Sequence, residues 1–369
     1  MLVSFIIPSY NSAHTVRRCL DSIYALSLKT SELEVIFTDD CSTDDTCDIV
    51  SEYQSRHPNI TLLRQPKNNR QGAARNRGVT VAKGKHICFV DSDDAVEEGI
   101  VSAIRASHDL QTDMTAFHTT HANEYDNTTN DAQVLTFNKG QIFSGLEMQN
   151  RHAYWCSASW GYIYKADYLR KVNYTFAEGV LYEDSDFVAT HLYYAKRMTY
   201  SPDLGYIAYY REGSTTHSNN YKNTADYLLL GSRMLALYAI IQQDIDEGKR
   251  NDDGIQEFAD GILEGAIHNV TMSIKRLFKL NSGKEIVAYY NRIDAKVNRR
   301  AIYSDKRMHK YPNYWNIWVT LCINCKYISI VLNSCLSIAY QLYVKHKKQI
   351  VMFKYTKRLM AKSAFGVKN

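Results

Sequence analysis

The 369-residue chain is predicted to be α/β: a Rossmann-like, mostly parallel sheet with flanking helices, followed by a C-terminal α-helical region. Three observations predict it. Short apolar runs alternate with helix-periodic stretches through the first hundred residues, the pattern of βαβ units. Two of those runs end in acidic clusters, Asp39-Asp40 and Asp91-Ser92-Asp93-Asp94, at the carboxyl ends where open α/β sheets place ligands. From about Asn220 onward, long amphipathic stretches almost without proline replace the alternation.

Leu2 to Ile7 reads as the first strand, stopped by Pro8, and offers no charged region ahead of its apolar residues, so a strand is expected here and not a signal peptide. Val16, Cys19, Leu20, Ile23 and Leu26 recur at helical spacing. Leu33 to Thr38 is the second strand, and the helix after it turns Ile49, Val50 and Tyr53 inward. Ile60 to Leu63 is the third strand. Gly72 to Ala82 is a helix, with Gly84 expected to close it in a left-handed conformation. His86 to Val90 is the fourth strand. Asp109 to Asn138 is polar, with Tyr125 to Asp131 expected as a mobile hairpin or loop. Tyr227 to Ile245, Ile255 to Leu280 and Glu285 to Arg299 read as the helices of a second region. The expected division is residues 1–218 as the α/β domain, 219–305 as a helical domain, and 306–369 as a basic, apolar tail.

A parallel sheet brings the two acidic clusters to one edge. Three carboxylates within four positions repel one another unless a cation intervenes. A hard divalent ion with oxygen ligands, carrying substrate phosphates on its other face, supplies that cation. Asp40 can accept hydrogen bonds from a ribose or a base, whereas Asp44 or Ser42 suits the cap of the helix at Thr46. Between the clusters lies Asn69-Arg70-Gln71-Gly72-Ala73-Ala74-Arg75-Asn76-Arg77-Gly78, whose small residues admit close backbone approach and whose arginines suit phosphate oxygens. Neither a Walker loop nor a G-x-G-x-x-G after the first strand is present, which excludes a P-loop ATPase and an ordinary dehydrogenase.

Four motifs stand in order: Ser4-Phe5-Ile6-Ile7-Pro8-Ser9-Tyr10-Asn11, Asp39-Asp40-x-Ser42-x-Asp44-x-Thr46, Gly72-x-x-Arg75-Asn76-x-Gly78 and Phe89-x-Asp91-x-Asp93-Asp94. Together they resemble the family 2 glycosyltransferases, whose nucleotide-sugar-binding fold is called GT-A, over about residues 1 to 215. The resemblance implies that Pro8, Tyr10 and Asp40 line a uridine pocket and that Arg75 lies near the nucleotide. It makes Asp91-x-Asp93 the D-x-D motif holding ribose and a Mn²⁺ or Mg²⁺ ion. Asp94 is acidic too, and Asp93 is the favoured direct ligand. Leu181-Tyr182-Glu183-Asp184-Ser185-Asp186-Phe187 resembles the family's Glu-Asp pair, with Asp184 as catalytic base and Glu183 beside it, at the start of a helix Phe187 to Ala195. Tyr209-Tyr210-Arg211 and the Ser/Thr loop to His217 resemble the segment closing the donor site, where Arg211 or His217 would touch the diphosphate. Trp155, Trp160, Tyr162 and Tyr164 could stack on a sugar or fill the core.

Charge is divided unevenly. Of the 44 Lys and Arg, twelve lie from Lys306 onward, where no Asp or Glu occurs; the other 32 stand against all 39 acids, so residues 1–305 carry −7 and the tail +12. Tyr327 to Val344 is uncharged and is followed by Lys345, Lys347 and Lys348, a pattern that suits a helix lying in an anionic membrane interface, the alternative being a buried helix with a solvated basic face. No nucleic-acid-binding module accompanies the basic charge, so no nucleic-acid partner is expected. The eight cysteines show no framework spacing, which fits a reducing compartment, and Cys322-x-x-Cys325 lacks a second pair to complete a zinc site. The expectation is an inverting, metal-dependent transferase that moves a sugar from a nucleotide diphosphate, a UDP-sugar, to a glycan or lipid-linked acceptor in polysaccharide synthesis. It would work in the cytoplasm, peripherally on the inner face of the cell membrane. The alternative is an inactive nucleotide-sugar-binding or membrane-scaffold partner of a glycan-assembly complex.

Overall fold

The computed structural model describes residues 1–123, 129–131, 135–152, 157–210, 221–277, 280 and 283–294. The chain divides into two compact units, one of Met1–Ser218 with Arg233–Ala266, the other of Asn219–Ser232 with the residues from Ile267 onward. Residues 219–305, read from sequence as one helical domain, are therefore shared between the units. The tail 306–369 lies outside the described residues.

In the first unit, β1 (Val3–Ser9), β2 (Leu33–Asp39), β3 (Ile60–Arg64) and β4 (His86–Phe89) form a parallel sheet with the order β3-β2-β1-β4. Helices α1 (Val16–Tyr24), α2 (Thr46–Arg56) and α3 (Arg70–Val81) connect them. Strands β1, β2 and β4 are wholly buried, which is why they read as apolar runs and not as alternating ones. Val16, Cys19, Leu20 and Ile23 of α1 pack with Val3, Phe5, Val35 and Phe37 on one face. On the other face a Cβ at Gly78 of α3 would lie 2.4 Å from Ile6 Cγ2, so only glycine lets this helix sit so close to β1.

Gly84 does not play the expected part. Helix α3 ends at Ala82 in extended backbone (φ −61°, ψ 129°), and Gly84 is not among the residues with positive φ. A Cβ there would lie 2.5 Å from the Ser4 nitrogen and 2.6 Å from the Val3 carbonyl carbon. Close passage of two backbones, not left-handed geometry, requires this glycine.

Beyond β4 the sheet continues through β8 (Tyr162–Lys165), β6 (Met114–Asn123), β9 (Met198–Tyr210) and the short β5 (Ala95–Val96), with β7 (Thr129–Asp131) paired to β6. β8 runs antiparallel to β4 and to β6, while β6 and β9 form a long parallel ladder. Helix α4 (Gly99–Leu110) packs on β6 and β9. The stretch Asp109 to Asn138, polar in sequence, contains the largely buried β6. Its threonines carry β-branched bulk, and near its start the hydroxyls of Ser107, Thr112 and Thr115 satisfy one another at 2.9 and 2.8 Å. Helices α5 (Gly145–Arg151), α6 (Ala166–Val172) and α7 (Asp184–Tyr194) complete the α/β part. A capping box starts α5, with Ser144 Oγ accepting from the Glu147 N–H at 3.2 Å and Glu147 Oε2 accepting from the Ser144 N–H at 2.8 Å.

The helical region contains α8 (Tyr221–Asp246), α9 (Ile255–Leu277) and α10 (Gly283–Asp294). Within the first unit, Tyr193 at the end of α7 donates to Asp244 at 2.7 Å and its carbonyl accepts from Arg250 at 2.6 Å. Within the second unit, Ser273 Oγ donates to the Thr224 carbonyl at 2.6 Å, and Arg292 Nε donates to the buried Asp226 at 2.8 Å. By length and composition α8 alone among the described helices could cross a bilayer, but most of it is buried, as in the core helix of a soluble fold.

Candidate active site

The register fixes the edge on which the site is built. Ser9 pairs with Asp39 and Asp39 with Arg64, so β1, β2 and β3 end level, while β4 stops opposite Ile6 on the same edge, three residues short of Ser9. The loops leaving β1 and β2 are laced to each other. Asn11 N–H donates to Ser42 Oγ and Asn11 Oδ1 accepts from the Thr43 N–H, each at 2.8 Å. Asp44 accepts from the Thr46 and Ala13 N–H groups, both at 3.1 Å, so it covers a donor at the start of α2, as expected, while also holding the neighbouring loop. Asp40 is buried, and its Oδ1 accepts from Gln65 at 3.0 Å and from the Asn69 N–H at 2.8 Å. Burial raises its pKa, with the backbone donors of Asn69 and Arg70 pulling the other way.

The Asp91-Ser92-Asp93-Asp94 loop follows β4 on the same edge. Ser92 shares a 2.7 Å hydroxyl contact with Ser12 of the first loop. Asp94 is buried, and both its oxygens are occupied: Oδ2 accepts from the Tyr206 hydroxyl at 2.6 Å and Oδ1 from the Tyr209 N–H at 2.8 Å. Tyr206 Oη also accepts from the Asp91 N–H at 3.1 Å. Its ring lies flat on Trp160, with centroids 4.6 Å apart and planes 3° from parallel. Arg18 of α1 donates to the Asp93 carbonyl at 2.5 Å and covers the Tyr209 ring at 3.8 Å.

Arg75 on α3 is 1% exposed and joins three carboxylates. Its Nη2 donates to Asp91 Oδ1 at 2.7 Å, and its Nη1 donates to Glu183 Oε1 at 2.5 Å and to Asp184 Oδ1 at 2.9 Å. Asn76 Nδ2 donates to the Phe176 carbonyl and Asn76 Oδ1 accepts from the Phe176 N–H, both at 3.0 Å. A Cβ at Gly72 would lie 2.4 Å from the Ala177 carbonyl oxygen. The glycine and asparagine of this motif thus seat the chain that leads into Glu183 and Asp184. From the other side Tyr174 and Arg233 both donate to the buried Asp186, at 2.6 and 2.5 Å. Tyr182, immediately before the acidic pair, is held at φ 64°.

One guanidinium cannot neutralise three carboxylates. Burial, then the adjacent Asp184 charge, pushes Glu183 up to about 7 against the pull of Arg75. Asp184 is also raised, by burial, with Arg75 drawing it down and Asp91 pushing it up. Asp94 is held well above the usual carboxylate range by burial and by the charges of Asp93 and Asp91. Glu183 is nearly covered, at 4% exposed, whereas the Asp184 side chain is 19% exposed. Of the two, Asp184 is the more exposed.

Residues 4–165 match the family model described as Glycosyl transferase family 2. They are a family 2 glycosyltransferase domain. Relatives of this domain include a poly(ribitol-phosphate) β-glucosyltransferase of Bacillus spizizenii, 36% identical over 117 residues, which are 31% of this chain and 18% of that protein. The uncharacterized glycosyltransferase YibD of Escherichia coli is 27% identical over 231 residues, 60% of this chain and 65% of YibD. The matches thus span less than two thirds of these curated relatives. Among solved structures, S. aureus TarS 1-349 in complex with UDP-GlcNAc superposes with a TM-score of 0.59 at 20% identity, covering 93% of this chain and 92% of that one. That likeness is one of fold, GT-A.

In this glycosyltransferase domain Pro8 is buried in β1, Tyr10 is 47% exposed just beyond it, and Asp40 adjoins them through a 2.7 Å bond from its N–H to the Ser9 carbonyl. Arg75, expected near the nucleotide, is enclosed among the carboxylates. Asp94, expected among the metal candidates, is engaged with β9, leaving Asp91 and Asp93 as the part-exposed pair of the loop. Among the described residues no three His, Cys, Asp or Glu side chains converge as a metal cage. Two carboxylates fit a divalent ion shared with substrate phosphates, the mode typical of Mg²⁺. Arg211, His217 and Trp155 lie outside the described residues. Tyr162 and Tyr164 are core residues. Sequence reasoning missed Tyr206, whose only signal is its place in the aromatic end of β9, three residues before Tyr209-Tyr210.

Proposed function

We propose that the chain is an inverting glycosyltransferase that moves a sugar from a nucleotide diphosphate, a UDP-sugar, to a hydroxyl of a glycan or lipid-linked acceptor in polysaccharide synthesis. The observation that carries the reading is the junction at Arg75, where one buried guanidinium binds Asp91 of the D-x-D loop together with Glu183 and Asp184. Donor-side and acceptor-side carboxylates are thereby held one side chain apart. TarS, crystallised with UDP-GlcNAc and with UDP, supports a UDP-sugar as the donor class.

In this reading Asp184 accepts the proton of the acceptor hydroxyl as that oxygen attacks the anomeric carbon. The bond from that carbon to the diphosphate oxygen breaks on the opposite face, and the electron pair leaves with the diphosphate. A single displacement inverts the centre and needs no nucleophilic side chain. Asp91 and Asp93 would hold a Mn²⁺ or Mg²⁺ ion together with the diphosphate, and the ion would offset the charge developing on the leaving group. Asp40, Pro8 and Tyr10 would receive the base and ribose. Residues 306–369, with their excess of lysine, would hold the protein peripherally on the cytoplasmic face of the cell membrane.

The test is a panel of nucleotide sugars, scored by hydrolysis and by thermal shift with Mn²⁺ present. A ligand at about 100 times its dissociation constant stabilises a protein by ~2.7 kcal/mol, which a melting curve registers. Failure of every nucleotide sugar both to bind and to be hydrolysed would remove the assignment, and binding without turnover would return it to an inactive partner.

A further inference from the structure

We infer that Arg75 is a positioning residue, which locks the D-x-D loop and the catalytic base to each other and contacts neither nucleotide nor acceptor. The inference rests on the glycosyltransferase reading above. Its first support is enclosure: the side chain is 1% exposed, and Phe176 lies under the guanidinium at 5.3 Å. Its second is the use of the fork. Nη2 is directed to Asp91 and Nη1 to Glu183 and Asp184, so both terminal nitrogens are engaged with protein carboxylates, while Nε is buried out of reach of solvent. The partners come from two distant stretches of chain, the end of β4 and the start of α7.

The rest of the motif works to the same end. Gly72 admits the Ala177 carbonyl, Asn76 pairs with both backbone groups of Phe176, and the Gly179 N–H donates to the Asn69 carbonyl at 2.8 Å. Helix α3 is therefore a seat for residues 176–179, and Arg75 is its central pin. A planar fork is needed for the span, since a lysine ammonium is a point charge on a flexible stem and cannot hold three carboxylates in one geometry. Displacement of a reacting group by about 1 Å costs ~10²-fold in rate, which sets the expected size of the effect.

The experiment uses the full chain with UDP-glucose and UDP-GlcNAc as donors, and measures kcat and KM for donor hydrolysis with Mn²⁺, plus the melting shift produced by UDP. Arg75→Lys is expected to lower kcat by ~10²-fold while donor KM stays within about threefold and the UDP shift persists. A KM raised by about tenfold or more at unchanged kcat would make Arg75 a nucleotide ligand and overturn the inference. Unchanged kcat and KM would overturn it too. Should Arg75→Lys fail to fold, Asn76→Asp decides, because it keeps the acceptor for the Phe176 N–H and removes the donor to the Phe176 carbonyl at a half-buried site. That variant is expected to lose ~10-fold in kcat at constant KM, and full activity would overturn the inference. A parent protein that hydrolyses neither donor removes the enzymatic reading and this inference with it, an outcome distinct from an active parent with unaffected variants.

Discussion

The hydroxyl of Tyr206 donates to the buried carboxylate of Asp94 at 2.6 Å. Through the same oxygen Tyr206 accepts the Asp91 N–H, and its ring is stacked on Trp160. One residue in the middle of β9 thus sets the height of the D-x-D loop above the sheet edge. Asp94 is an internal anchor for that loop, while Asp91 and Asp93 stay part-exposed.

Tyr206→Phe should therefore destabilise the fold, since it removes both contacts and strands a buried carboxylate oxygen. The expected loss is ~1–3 kcal/mol, the cost of an unpaired buried polar group. Urea denaturation measures it as a lower midpoint at unchanged slope. An unaltered midpoint would show that the Asp94 contact contributes nothing.

The sheet edge was legible because its cause is local. Apolar runs in β1, β2 and β4 are buried on both faces, and the acids that end them stand in the chain where the strands stop. β6 was not legible, since its run Thr115 to Ala122 carries threonines and histidines, and its burial comes from strands and a helix distant in the chain. Arg75 was legible as important but its partners were not, because the sequence cannot show that Asp91, 16 residues away, and Glu183, 108 residues away, reach the same guanidinium. Gly84 was misread for the same reason: a left-handed cap is a local property, whereas close passage against Ser4 depends on a strand 80 residues earlier.

Asp93 and Asp94 should separate cleanly. Asp93→Asn is expected to abolish the Mn²⁺-dependent part of UDP binding while the melting temperature stays near that of the parent, because the residue is part-exposed at the sheet edge. Asp94→Ala leaves the Tyr206 hydroxyl and the Tyr209 N–H without their acceptor, and should cost stability by ~1–3 kcal/mol. Titrating UDP with and without Mn²⁺ and melting each variant checks both halves. Equal melting temperatures for the two variants would deny Asp94 its anchoring part.

Asp184→Asn should remove transfer while leaving UDP affinity near normal, since the base meets the acceptor and not the nucleotide. Loss of a general base lowers rate by ~10²- to 10⁴-fold. Single-turnover transfer alongside a UDP titration tests this. An active Asp184→Asn protein would move the basic function to Glu183.

Glu183 carries a pH signature. An ordinary glutamate titrates near 4.5, and the folded protein pushes this one up to about 7. Between those values the folded state holds a proton that the unfolded state has released, so stability falls as pH rises through that window and levels off above it. Glu183→Gln cannot ionise, so its stability relative to the parent should improve steadily from pH 4.5 to 7 and then stay constant. Melting temperatures of the two proteins measured across that range give the difference, and a difference independent of pH would show that burial and the Asp184 charge do not raise Glu183.

The tail gives the last prediction, which rests on sequence because residues 306–369 lie outside the described residues. Two forces would hold it to a membrane: burial of the apolar stretch Tyr327 to Val344, and attraction of Lys345, Lys347 and Lys348 to anionic headgroups. Each basic residue close to an anionic surface contributes ~1 kcal/mol, and that contribution shrinks as salt shortens the screening length from about 10 Å at 0.1 M to about 3 Å at 1 M. Apolar burial responds little to moderate salt. Sedimentation with phosphatidylglycerol-containing vesicles should therefore show binding that weakens and persists as salt is raised, with less binding to phosphatidylcholine vesicles. Replacing the three lysines with glutamine should reduce binding to anionic vesicles and leave the weaker neutral binding as it was. Complete release by salt would mean a basic patch with no inserted apolar segment. A full-length protein that ignores both kinds of vesicle would end the membrane assignment and make the tail a surface for packing against protein.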